Sequence, residues 1–251
     1  MRMIPSASPG LPRRAVAELV GTAALVAVVV GSGIQAAALS QDVGVRLLAN
    51  SLASALGLGL LIALLGPLSG GHLNPVVTLS EWWARRDEEG APRAGEVAAY
   101  LAAQLVGAVA GALLAEAMFG RAPGAWSTQV RSGTHLLIGE TVATAGLVLL
   151  VQGLRRIDRS ALAPVAVGGY LMAAIWFTSS GSFANPAGTV GRAFSDSFTG
   201  IAPASLPGFI GAQLLGLLLG VALASVLYGG RESGRRSGRN EPNGPDSRRK
   251  G

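Results

Sequence analysis

The chain has no cysteine, which excludes disulfides, thiolate metal sites and cysteine nucleophiles and leaves the redox compartment undetermined. It has only two histidines, His72 and His135, far apart in sequence. Neither stands in a Ser/His/Asp arrangement or a metal-ligand spacing, so no catalytic set can be nominated. An enzyme is therefore not expected, and neither a metal nor a cofactor. Charge is also scarce, at 14% of 251 residues. The formal net charge of +6 invites a nucleic-acid reading, but the basic residues fall in short clusters between apolar runs, without aromatic interleaving. Membrane orientation explains those clusters better, and no nucleic-acid partner is expected.

What the chain has in quantity is apolar residues, half of the total, and glycine, 36 in all. That is the composition of a polytopic helical membrane protein in contact with the lipid bilayer. Six spans are expected, near 15–38, 44–66, 95–119, 134–154, 161–179 and 205–228, each close to the roughly 20 apolar residues that cross the hydrocarbon layer. The first is too long for a signal-peptide core and contains Glu18, which has a counterpart later. Of the 20 basic residues, all but Arg46, Arg121, Arg131 and Arg192 fall in the N-terminus, the 85–93 and 155–159 loops and the tail. The positive-inside rule then puts both termini in the cytoplasm, across a membrane expected to be the bacterial inner membrane. Residues 1–228 read as one channel domain, and the basic segment 229–251 as a disordered tail with no apolar content to pack.

Two short stretches organise the chain: Asn74-Pro75-Val76 and Asn185-Pro186-Ala187. Asn as N-cap followed by Pro at the first helical position is a strong helix start. Each follows a Gly/Ser-rich approach, through Gly70, Gly71 and His72 or through Gly181 and Ser182. The run after each is too short and too polar to span a bilayer, so each reads as a half-helix starting at membrane depth. Its positive dipole end and N–H groups then point at something polar. Glu18-Leu19-Val20-Gly21-Thr22 is echoed by Glu140-Thr141-Val142-Ala143-Thr144, and Gln104-x-x-Gly107-x-x-x-Gly111 by Gln213-x-x-Gly216-x-x-x-Gly220. The halves, about 15–119 and 134–228, therefore form a repeat. Three crossings per half make it an inverted one.

Gly-Gly-His-Leu-Asn-Pro-Val-Val-Thr at 70–78, Asn-Pro-Ala at 185–187, the paired glutamates and the Gln-x-x-Gly-x-x-x-Gly repeats resemble the aquaporin and glycerol-facilitator (major intrinsic protein) family. The resemblance covers roughly 15–228. It implies an all-α fold of six transmembrane helices plus two re-entrant half-helices, and a homotetramer. Asn74 and Asn185 would present amide donors to the pore centre, orienting water or a hydroxyl oxygen and breaking a proton wire. Glu18 and Glu140 are intramembrane carboxylates, open to a proton-relay reading or a structural one. The resemblance implies the structural role, accepting hydrogen bonds from the re-entrant loops. It also implies that residues such as His72 lend the pore a backbone carbonyl.

The chain departs from the family at the narrowest constriction. Typical members have Arg directly after the second Asn-Pro-Ala; here it is Gly188. Carrying over the other positions gives Ser54, approximately Ala173, and Ser182. All are small, so a wide and uncharged ring is expected. Arg192, one turn (about 5.4 Å) beyond Gly188, is expected to pair with Asp196 four residues on. Glu116, near the end of the third span, needs no function. The stretch 182–203 is similar to a bacterial branch associated with arsenic resistance, thought to pass arsenous acid. The expected function is a passive channel for water and small uncharged solutes, glycerol-like polyols and arsenous acid among them. The alternatives are a mainly water-selective channel and an ion-coupled secondary transporter.

Overall fold

The computed structural model describes residues 9–88 and 90–229. These form α1 (Leu11–Leu39), α2 (Val43–Ser69), α3 (Pro75–Arg85), α4 (Ala94–Met118), α5 (Thr134–Arg156), α6 (Ala163–Phe177), α7 (Pro186–Arg192) and α8 (Leu206–Tyr228). Short 3-10 turns at Ser160–Leu162 and Pro203–Ser205 precede α6 and α8. Among the described residues there is no strand. With those turns included, the six long helices run from 18 to 29 residues and are apolar enough to cross a membrane. The expected spans match them, with the fifth again the shortest. The basic tail expected from 229 onward lies, Gly229 apart, outside the described residues.

Local signals set the breaks. Asp42 caps α2 by accepting the Val45 N–H at 2.8 Å. Gly70 ends that helix at φ +94°, a left-handed turn that a side chain would strain. The chain then re-enters the bundle and starts α3 at Pro75; the second half repeats this at Pro186.

The helices pair in parallel fashion in the two halves, α1 against α4 and α2, and α5 against α8 and α6, with α2 and α6 joining the halves. The glycine repeats make the first crossings close. A Cβ at Gly107 or Gly111 would run into the backbone oxygens of Leu19 or Ala23, and one at Gly216 or Gly220 would lie 2.6 Å from those of Thr141 or Ala145. Gly111→Ala should therefore destabilise the fold by about 1–3 kcal/mol, because overpacking outweighs a helix-propensity gain of about 1 kcal/mol. Gly211→Ala, with nothing within 4 Å of its Cβ, should keep that gain. Midpoints of heat-induced loss of the monodisperse peak in detergent would show the two variants moving in opposite directions.

The residues after the two Asn-Pro pairs face protein. Val76 is fully buried against Val148 and Leu217, and Ala187 against Val26, Val30, Ala108 and Ala112. Val in place of Ala in the first motif is thus a matter of packing. Leu56, Leu60, Leu64, Val165, Leu218 and Val226 are among the large apolar side chains left exposed, as a protein bathed in hydrocarbon requires.

Candidate solute pathway

The two half-helix starts meet at the centre of the bundle. Asn74 Oδ1 accepts the Val76 N–H and Asn185 Oδ1 the Gly188 N–H, each at 3.0 Å. Each amide also crosses to the other motif: Asn74 Nδ2 donates to Ala184 O at 2.8 Å, and Asn185 Nδ2 to Leu73 O at 2.9 Å. A primary amide has two N–H donors, so one on each Asn remains after the crossed bonds. Leu73 and Ala184 offer those carbonyls from the left-handed region, at φ 51° and 44°, a conformation that costs non-glycine residues about 1–3 kcal/mol.

The two glutamates hold the strained turns. Glu18 accepts from Ser69 Oγ (2.7 Å), His72 N (3.0 Å), Leu73 N (2.7 Å) and Gln104 Nε2 (2.7 Å). Glu140 accepts from Phe183 N (2.8 Å), Ala184 N (2.9 Å) and Gln213 Nε2 (2.7 Å). Both carboxylates are fully buried. Gln104 also donates to Thr78 Oγ1 and Gln213 to Thr189 Oγ1, and these hydroxyls donate to Asn74 O and Asn185 O. Each N-cap is thus tied through a threonine and a glutamine to the carboxylate that fixes the residue before it.

A cavity of about 860 Å³ passes both asparagines. At one end it is lined by Glu81, Arg85 and Arg155, at the other by Arg131, Arg192, Phe198 and Thr199, with apolar walls that include Leu25, Leu58, Ile62, Leu147 and Val151. The carboxylates at the first end are engaged: Arg155 lies 2.5 Å from Glu88 and 3.6 Å from Glu81, and Gln152 Nε2 donates to Glu81 at 3.3 Å.

The major intrinsic protein family matches residues 6–194, three quarters of the chain. The chain belongs to that family. It is 47% identical over 210 residues to aquaglyceroporin AqpS of Rhizobium meliloti, covering 82% of this chain and 86% of that protein. It is 35% identical over 199 residues to the probable aquaporin TIP3-2 of Oryza sativa, covering 76% and 72%. In fold it is similar to the X-ray structure of the aquaglyceroporin from Plasmodium falciparum, with a TM-score of 0.67 at 19% identity over 87% of this chain and 96% of that one. The protein is accordingly an integral membrane protein of the aquaporin fold.

Within that family frame, Ser54, Gly70, Gly71, His72, Gly181, Ser182 and Gly188 all line the cavity beside Asn74 and Asn185. The hydroxyls of Ser54 and Ser182 are buried without a hydrogen-bond partner among the described residues. The His72 ring is 3.1 Å from Thr78 Oγ1 and edge-on to Tyr100. Ala173 does not line the cavity; it is exposed on the outside of α6, and Leu171 and Ile175 face inward instead. A two-residue offset turns a helix position by about 200°, to the opposite face.

Arg192 does not pair with Asp196. Asp196 accepts from Thr128 N and Thr128 Oγ1, because α7 ends at Arg192 and helical spacing does not extend past it. Arg192 instead lines the cavity, with its guanidinium carbon 3.3 Å from the centre of the Phe183 ring. The ring positions Ser54, Ser182 and Gly188 carry no charge, but the same cavity is also lined by Arg192 and by Arg131, which stands 5.1 Å from the Phe183 ring. Glu116 is also more than a span end: it is 1% exposed, 2.8 Å from Arg121, and accepts from Ser195 Oγ. The spacing of Gly188 and Arg192 was the available signal for the first of these, since residues four apart share a helix face.

Proposed function

We propose that the protein is a passive channel for water and small uncharged solutes, with glycerol-like polyols and arsenous acid among those it admits. The observation that supports this most is the pair of asparagine amides, each capping a half-helix and both lining one cavity with apolar walls. Spare amide donors and two helix N-termini favour a hydroxyl oxygen at that point and disfavour a cation. The small side chains at Gly188, Ser54 and Ser182, two of them with unpartnered hydroxyls, suit a polyol or metalloid hydroxide. The similarity to a named aquaglyceroporin points the same way. Glu18 and Glu140 are committed to the scaffold, which argues against an ion-coupled transporter. No reaction is assigned to the protein.

The reading places both termini on the cytoplasmic face of a bacterial inner membrane, supported by the run of Arg85, Arg86, Arg155, Arg156 and Arg159 in the loops on that side. A homotetramer is proposed from family membership alone. Stopped-flow light scattering of proteoliposomes, with water, glycerol and arsenous acid compared side by side, tests the function. All three should exceed empty vesicles. Water flux without glycerol or arsenous acid flux would replace this reading by a water-selective one.

A further inference from the structure

The charge that the chain lacks at Gly188 is present in the cavity by another route. In α7, residues 188 and 192 lie on one face, and helical side chains lean back toward the N-terminus. The three atoms nearest a Cβ at Gly188 belong to Asn185, at 3.4–3.6 Å, which is ordinary contact. Packing therefore does not demand glycine there, and its effect is to leave space on the face shared with Arg192.

Arg192 is fixed at two points. Its guanidinium lies on the Phe183 ring, and Nε donates to Thr199 O at 2.5 Å. A guanidinium has five N–H donors, and the other four have no protein acceptor among the described residues. No carboxylate forms an ion pair with Arg192 or Arg131 there either; Arg131 donates to Gly200 O at 2.8 Å and Phe198 O at 3.3 Å. Two cations thus sit at one end of the cavity, hydrogen-bonded to carbonyls, with the Glu140 carboxylate acting on both without an ion pair to either.

The residue that offers this carbonyl is held through its side chain by a polar chain. Glu116 accepts from Ser195 Oγ, which lies 2.9 Å from Ser197 Oγ, which in turn lies 3.3 Å from Thr199 Oγ1. All four side chains are buried. One oxygen of this buried carboxylate pairs with Arg121 at 2.8 Å, and the other accepts from Ser195, which ties it to the loop that holds Arg192.

We propose that Arg192, reaching back over Gly188, is the specificity-determining cation of this pathway, and that Glu116 is its positioning residue through Ser195, Ser197 and Thr199. The inference rests on the channel reading above. Because the guanidinium hangs from a ring and a loop carbonyl, the cation and proton barrier depends on a contact that a single substitution can release.

The test uses purified full-length protein in proteoliposomes, with proton flux read by an enclosed pH dye under a valinomycin-set potential and solute flux by stopped flow. Arg192→Leu should raise proton flux about tenfold or more, since one charge even about 10 Å away at an effective dielectric of about 20 is worth about that factor and Arg192 lines the cavity itself. It should raise glycerol flux more than water flux. Gly188→Arg combined with Arg192→Leu should restore proton tightness. Glu116→Gln should shift the proton-to-glycerol flux ratio in the same direction as Arg192→Leu, and should add nothing in the Arg192→Leu background, as residues acting through one group do. Proton and glycerol fluxes of folded Arg192→Leu equal to those of the natural sequence would overturn the proposal, as would full additivity of Glu116→Gln. If Arg192→Leu does not fold, Arg192→Lys decides it, by retained proton exclusion with a changed glycerol-to-water ratio, against no change in either. Natural-sequence vesicles indistinguishable from empty ones for every solute would instead overturn the channel reading itself.

Discussion

Glu140→Ala should leave little or no folded protein. The carboxylate is fully buried and is the acceptor for the Phe183 and Ala184 amides and for Gln213. Each buried donor left unsatisfied costs about 1–3 kcal/mol, and three together approach the entire net stability of an ordinary domain, about 5–15 kcal/mol. Ala184 would also lose the bond that offsets its left-handed conformation. Glu140→Gln keeps the shape but replaces one acceptor oxygen by a donor facing donors, a loss of about 1.5–3 kcal/mol in charge-assisted bonding. That variant should fold with a melting midpoint lower by about 4–10 °C. Glu18→Gln should behave alike, since its four donors occupy the equivalent place in the first half. Heating in detergent followed by gel filtration reads both. An unchanged midpoint for either glutamine variant would mean that the carboxylates are not what braces the re-entrant turns.

Asn185→Asp should cut water and glycerol flux by about tenfold or more while the protein still inserts and folds. The substitution removes the N–H that reaches Leu73 O at 2.9 Å and sets a carboxylate oxygen against that carbonyl. The Gly188 N–H still finds its acceptor, so the helix cap survives. What changes is the character of the cavity's centre, from donor to acceptor with a negative charge, and a loss of one donor interaction of about 1.4 kcal/mol already corresponds to a tenfold rate. Asn74→Asp should match it, because Asn74 makes the reciprocal bond to Ala184 O. Stopped-flow flux normalised to reconstituted protein gives the result; normal fluxes in both variants would remove the asparagines from the solute path.

The features that sequence made legible are those written locally and written twice. Asn followed by Pro is a helix start in any context, and the span lengths are set by bilayer thickness, so α3, α7 and the six long helices followed from short windows. Glu18 and Glu140 could be paired because the same four-residue spacing to threonine recurs in both halves, and both proved to hold the turns before the asparagines. The misreadings lie where one residue's neighbours come from a segment far along the chain. The position of Ala173 depends on the length and path of the loop between α6 and the second motif, and an offset of two residues reverses its face. The pairing of Arg192 with Asp196 assumed a helix that stops at Arg192. Glu116 looked idle because its partners, Arg121 and Ser195, include one on a loop that folds back across the end of α4.

Solutes cross by diffusion through a cavity beside which, among the described residues, the carboxylates that brace the two asparagine turns, Glu18 and Glu140, belong to the scaffold. The most direct measurement is initial glycerol uptake into proteoliposomes at external pH 5 to 8, with and without a protonophore. Rates should be proportional to the glycerol gradient, insensitive to pH and unchanged by the protonophore. Uptake that requires a proton gradient, or that falls steeply across that pH range, would contradict it.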